Sequence, residues 1–198
     1  GIKLGLYLLL RIVVPLLPEA LVTYHDVVVG FAIFGMVYGG LIALSQTDMR
    51  RLLAYASVSH VGVVILGVMS MNVYGLQGGY LQALSIGLAI AGLYFVAGFV
   101  HQRLGHTDST RMGGLVQRTP LLAGAFLITA MAAVGLPGTS GFNGEHLIII
   151  GAYKSHWGLA LTAGLGTLLA AAYYLRYFQN AFLADSSDPA RAAVPDLG

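Results

Sequence analysis

The residue in this chain best placed to do chemistry is Glu145. It ends the cluster Leu136-Pro137-Gly138-Thr139-Ser140-Gly141-Phe142-Asn143-Gly144-Glu145, inside an apolar run from Leu121 to Tyr153. Proline removes an amide donor and clashes with the preceding turn, and the glycines weaken helical preference further. The apolar remainder after the cluster is far shorter than the roughly 20 residues a bilayer crossing requires. We therefore expect one membrane helix interrupted inside the bilayer, with Pro137, Gly138, Gly141 and Gly144 forming the break. Freed backbone groups at that depth must face protein or water, so the break predicts a wet cavity. Transporters place such broken helices at their ion sites. The alternative is an interfacial turn with Glu145 reaching out to water; the short remainder favours the interrupted helix.

Three further sets of ionisable residues lie in or beside apolar runs, where charge is costly and by default marks an ion pathway. Lys3 stands in Gly1-Ile2-Lys3-Leu4-Gly5-Leu6-Tyr7. A buried lysine can exchange protons, but a lysine at a helix start can equally be an interfacial anchor, and spacing does not choose between them. His60, in Ser57-Val58-Ser59-His60-Val61-Gly62, is of a type suited to proton relays. A lone histidine in an apolar helix is nevertheless more often a structural donor. Asp48, Arg50 and Arg51 most simply mark a helix boundary, the alternative being a secondary place for Asp48 and Arg50, with Ser85, in the proton pathway. His101, His106, His146 and His156 are not grouped at metal-ligand spacing.

The elements that must position these groups are membrane helices. Hydrophobic residues make up 57% of the 198 residues and charged ones only 9%, against roughly 25% charged in soluble domains. No Asp, Glu, Lys or Arg occurs between Arg51 and Arg103. That stretch is too long for one crossing, and a polar turn around Asn72, Gly75, Gln77, Gly78 and Gly79 is expected to divide it. Six segments result, near Gly1–Leu17, Val27–Leu44, Leu52–Met71, Tyr80–His101, Leu121–Tyr153 and Trp157–Phe182. Arg50, Arg51, Arg103, Arg111, Arg118 and Arg191 then fall on one side and Lys154 on the other, which puts the arginines in the cytoplasm. The fold expected is an all-α membrane bundle over 1–183 with the fifth of six helices broken, followed by a cytoplasmic polar tail or loop over 184–198. The start on Gly1, with Lys3 already inside an apolar run, leads us to expect a piece of a longer chain.

Other chemistries have no foothold. The chain has no cysteine, hence no thiolate for zinc or an iron–sulfur cluster. There is no dinucleotide fingerprint, phosphate loop or nucleophile elbow. A net charge of +2 is too small and dispersed for a nucleic-acid partner.

The run Ser45-Gln46-Thr47-Asp48-Met49-Arg50-Arg51-Leu52-Leu53-Ala54-Tyr55-Ala56-Ser57-Val58-Ser59-His60-Val61-Gly62 closely resembles a signature of the antiporter-like, proton-translocating membrane subunits of complex I. So does Met112-Gly113-Gly114-Leu115, with Gly135-Leu136-Pro137-Gly138-Thr139-Ser140-Gly141-Phe142-Asn143-Gly144-Glu145 after it at the expected distance. The terminal glutamate looks like the M type among these subunits, where the L and N types usually carry lysine. The resemblance implies a 14-helix fold with two inverted five-helix repeats, this chain supplying six helices from its C-terminal half. It sets Lys3 on the family's central-axis lysine, His60 on its channel histidine and Glu145 on the glutamate of the broken helix. Ser85 stands where the family often has histidine, Arg50 where lysine is common, and His146 where phenylalanine is usual.

The function so implied is proton translocation as a subunit of a respiratory NADH–quinone oxidoreductase, in the inner (plasma) membrane of a bacterium. NADH, FMN, iron–sulfur clusters and quinone would belong to partner subunits, and no cofactor to this chain. The expected partners are neighbouring antiporter-like subunits and the lipid bilayer. A subunit of a multi-subunit cation/proton antiporter or inorganic-carbon uptake system is the alternative, as is a membrane anchor for a hydrogenase.

Overall fold

The computed structural model describes the backbone from Ile2 to Ala184 and the side chains from Leu4 onward. Lys3 lies in the first helix with its side chain outside the described residues, and the tail after Ala184 lies outside them altogether. The first segment comprises α1 (Ile2–Leu8), a π-helical turn (Leu9–Val13) and α2 (Val14–Leu16). Pro15 has no amide to give the preceding turn, and the helix widens ahead of it. A short α3 (Pro18–Thr23) leads into α4 (His25–Ser45), α5 (Met49–Met69) and α6 (Val73–Leu104). A 3₁₀ turn (Ser109–Arg111) and α7 (Leu115–Arg118) connect to α8 (Pro120–Val134) and α9 (Phe142–Ser155). Last comes α10 (Trp157–Phe178), running on through a π-helical turn (Gln179–Leu183).

Helices α4, α5, α6 and α10 with its π turn are each long and apolar enough to cross a bilayer. The first segment is shorter, and the fifth is divided into α8 and α9. The break is a real interruption and not a hairpin, because both halves keep to one antiparallel track along α6. Gly75 lies beside Gly151, Gly78 beside Ile148, Gln82 beside Gly144, Ser85 beside Ser140 and Gly92 beside Thr129.

One boundary differs from expectation. The turn between α5 and α6 is confined to Ser70, Met71 and Asn72, and Asn72 caps α6 by accepting from the Gly75 amide at 3.0 Å. The glycines at 75, 78 and 79 lie inside the helix. A β-carbon at Gly78 would sit 2.6 Å from the Ile148 amide nitrogen. These glycines therefore serve close packing, Gly78 of α6 on α9, Gly79 of α6 on α5 and Gly75 against both, which is how membrane helices gain contact where burial from water offers no drive.

The two ends of the bundle are sorted as the arginines require. At one end the Met49 amide donates to Thr107 O (3.1 Å), the Ser109 amide to Thr47 O (2.9 Å), and the Gly114 amide to Ala184 O (2.6 Å). These contacts gather the loops carrying Arg50, Arg51, Arg111 and Arg118. At the other end His25 Nε2 hydrogen-bonds Met69 O (2.8 Å), and Asn72 Nδ2 donates to Gly151 O (2.7 Å).

Candidate functional site

The break is built by two glycines that take left-handed backbone and two more that lie against neighbouring elements. Gly135 ends α8 with φ of +83°, its amide returning to Met131 O at 3.0 Å, and Gly138 continues the turn at φ of +92°. Such angles are costly for any residue with a β-carbon. Gly135 has a second duty, because a β-carbon there would collide with the Glu145 carboxylate. Pro137, Gly138 and Gly141 fall in the break and Gly135 belongs with them, but Gly144, expected there too, lies in the first turn of α9, where its missing side chain lets α6 approach. Pro137 and Gly138 form the exposed tip of the break, whereas Gly141 and Gly144 are buried against Ala132 and Gln82.

Glu145 sits in the first turn of α9, only 7% exposed. Its carboxylate lies against Gly135 and accepts a hydrogen bond from the Thr167 hydroxyl of α10. Nearly two turns further along α10, Tyr173 is fully buried and lies within electrostatic reach of Glu145. The Tyr173 hydroxyl shares a hydrogen bond of 3.1 Å with His60 Nε2 on α5. Tyr174 stacks on the same imidazole at 6.3 Å between ring centres. His60 itself is 5% exposed and faces the bundle interior. Helix α10 thus supplies a partner to each, Thr167 to Glu145 and Tyr173 to His60. Neither of those two residues has a signal in sequence, since a threonine and a tyrosine in an apolar helix are ordinary until the neighbours are known. The buried face of α10, with Ala163, Gly166, Ala170, Tyr173 and Tyr177, is spaced at helical intervals and holds Tyr173 toward the interior.

A cavity of about 400 Å³ opens beside His60, between α1, α5 and α6, with Leu6, Ser57, Ile86 and Tyr94 among its walls. Ser85 donates to Ser140 O at 2.6 Å and so ties α6 to the break.

Asp48 and Arg50 are placed differently. The Asp48 carboxylate caps α5, accepting from the Arg50 and Arg51 amides at 3.0 and 3.1 Å. It also accepts from the Thr107 hydroxyl at 2.8 Å, and the Tyr177 hydroxyl donates to Thr107 O at 2.8 Å. Arg50 is exposed at this end. Asp108 mirrors Asp48 by capping the 3₁₀ turn through the Thr110 amide (3.0 Å) and hydroxyl (2.9 Å). Burial works against ionisation of Asp108, but the Thr110 amide and hydroxyl, the Thr47 hydroxyl and Arg111 outweigh it and hold its carboxyl below the ordinary value. Both aspartates are parts of a loop clasp, far from the break along the bundle. Among the described residues no group of His, Asp or Glu is arranged to hold a metal.

Comparison with known proteins agrees with this architecture. The family model described as NADH:quinone oxidoreductase/Mrp antiporter, TM matches residues 1–170. NADH-quinone oxidoreductase subunit M of Rickettsia typhi is 35% identical over 196 residues, covering 99% of this chain and 40% of that protein. The chain thus spans well under half the length of this relative. A chain of respiratory complex I from Thermus thermophilus superposes with a TM-score of 0.91 at 38% identity, covering 98% of this chain and 41% of that one. A chain of the Mrp complex from Dietzia sp. superposes at 0.87 with 27% identity, covering 97% and 38%. With its broken helix, its two sorted ends and a match over most of its length, the chain belongs to the NADH:quinone oxidoreductase/Mrp antiporter transmembrane family.

Proposed function

We propose that the chain is part of an M-type, proton-translocating subunit of a bacterial respiratory NADH–quinone oxidoreductase, lodged in the inner membrane beside other antiporter-like subunits. The observations that carry this reading are two contacts made from α10, Thr167 to Glu145 and Tyr173 to His60, which we read as parts of one line. Each member either titrates or carries a rotatable hydroxyl, so the line can relay a proton between a break in one helix and the interior of another. Lys3 is taken as a further member of the pathway, on the family resemblance of its position. Electrons do not enter this chain: NADH, FMN, iron–sulfur clusters and quinone belong to partner subunits, whose redox work drives the protons. In that sense the chain acts within a translocase without a redox site of its own. The arginine-bearing end faces the cytoplasm.

The likeness to the Mrp complex supports a second reading, a subunit of a cation/proton antiporter. The two readings part on the driving force: NADH-driven proton uptake belongs to the first, and sodium-driven proton movement without NADH to the second.

The test uses assembled complexes in membrane vesicles, with proton uptake measured alongside NADH oxidation. Glu145→Gln keeps size and hydrogen-bonding capacity but cannot titrate, and is expected to assemble and to lose most proton uptake. Glu145→Asp keeps a carboxyl about one methylene short and is expected to be milder. Full pumping by Glu145→Gln at normal complex levels rejects the role, and loss of the complex in both variants assigns Glu145 to the fold instead.

A further inference from the structure

The first membrane segment carries a charge that the proton pathway does not use. Arg11 stands in the apolar run Leu8-Leu9-Leu10-Arg11-Ile12-Val13-Val14, on the π-helical turn Leu9–Val13. That turn is fixed from two sides. The Val14 amide donates to Leu9 O, and Pro15 has no amide to offer, so the Leu10 carbonyl loses its partner along the helix. The Tyr80 hydroxyl of α6 takes it instead, at 2.8 Å. Tyr80 is seven residues beyond the start of α6, which puts this contact about 10 Å inside the end of that helix. Leu6 and Leu10 are buried, Leu6 in a cluster with Val64, Ile86 and Ile90. Arg11 is exposed, as are Leu4, Tyr7 and Leu8 on the turns before it. Among the described residues it makes no hydrogen bond or ion pair.

Charged groups within membrane segments rarely face lipid; they pair with opposite charge or meet water. Arginine in particular suits a carboxylate, which it holds through two parallel hydrogen bonds. The flank of α1 is also incompletely covered. A cavity of about 400 Å³ lies between it, α5 and α6, and the chain spans only 40% of the length of the Rickettsia typhi relative. From these observations we propose that Arg11 anchors a docking surface on the first segment, with Leu4, Tyr7 and Leu8 around it. Its guanidinium pairs with the carboxylate of a membrane helix in the part of the subunit outside this chain. The apolar neighbours shield the pair, and the Tyr80 contact holds the π turn so that the guanidinium is presented outward. The surface joins two parts of one subunit and takes no share in proton transfer, so it stands apart from the reading of Glu145.

The experiment uses the full-length subunit in the assembled complex. A photo-crosslinking phenylalanine derivative is placed at Leu8, which leaves Arg11 intact, and the linked peptide is identified by mass spectrometry. The expected link is to a helix of the same subunit, outside this chain, that carries an aspartate or glutamate. A link to lipid only, to another subunit, to this chain alone or to a helix without a carboxylate overturns the proposal. Arg11→Met is then read by the amount of assembled complex. That amount is expected to fall at least threefold, because the partner carboxylate is left buried and unpaired. Neutralising the linked carboxylate to its amide in the same protein is expected to recover most of the loss. A wild-type amount in Arg11→Met, or a double variant that assembles no better than the single one, overturns the pairing. Where Arg11→Met does not assemble at all, the double variant decides by the same rule.

Discussion

Asp48 and Glu145 are both carboxylates withdrawn from bulk water at the start of a helix, yet the protein treats them in opposite ways. Asp48 accepts from two backbone amides and the Thr107 hydroxyl. The amides are fixed backbone donors at the end of α5, and they hold this carboxylate as a helix cap. Glu145 meets the Thr167 hydroxyl and the glycine backbone of the break, with Tyr173 nearby. A hydroxyl donates to a carboxylate and, by rotating, accepts from a carboxylic acid. The first site ties its carboxylate to the fixed donors of a helix end, and the second sets its carboxylate against a rotatable hydroxyl. The chemistry of its partners, more than its burial, distinguishes a structural carboxylate from a working one here.

The largest effect is expected where this contrast is sharpest. Glu145→Gln is expected to lower NADH-coupled proton uptake by about tenfold or more, within the range for loss of a positioned acid–base group, whereas Asp48→Asn is expected to leave the proton-to-NADH ratio at its normal value. Equal losses in both would erase the comparison. Next come the hydroxyls. Tyr173→Phe removes the group bonded to His60 and is expected to slow uptake several-fold, with Thr167→Val close behind and Thr167→Ser near wild type. Normal uptake in both Tyr173→Phe and Thr167→Val would show that the relay bypasses α10.

Smaller effects concern the clasp. Asp48→Ala is expected to cost about 1 kcal/mol, the usual value of a lost helix cap, read as a lower unfolding temperature of the detergent-solubilised subunit with pumping per NADH unchanged. The smallest is an acid effect at Asp108. Its carboxyl is held below the ordinary value in the folded protein, so its stabilising contribution is present at neutral pH. That contribution fades as pH falls below about 4, where the unfolded chain takes up the proton first. Asp108→Asn is expected to flatten slightly the acid limb of a stability profile; a limb unchanged by the substitution would show that the clasp does not depend on this charge.

Much of this contrast is legible in the residues before any coordinates. Pro137 and the glycines around it announce a break because no helix tolerates them together, and the short apolar remainder keeps the break inside the membrane. Asp48 ahead of two arginines reads as a helix boundary, and it is one. The glycines at 75, 78 and 79 mislead because the same residue marks a turn in water and a close contact in a membrane. Only the partner helices, α5 and α9 in this case, distinguish the two. Gly135 is hidden by a dual task, as its backbone angle and the space it leaves for Glu145 both require the fold. Thr167 and Tyr173 are invisible for a similar reason: their value lies in the groups opposite them, and α10 alone does not say that Glu145 and His60 are there. For Lys3 the structure describes no side chain, and its place in the relay belongs to the proposed function.

The most direct measurement is infrared difference spectroscopy of the assembled complex, comparing the resting state with the state driven by NADH, in the region where protonated carboxyl groups absorb. The account predicts a carboxyl band that changes on turnover in wild type and in Asp48→Asn, and that is absent in Glu145→Gln. A band of undiminished size in Glu145→Gln would contradict the claim that this carboxyl changes its protonation during the cycle.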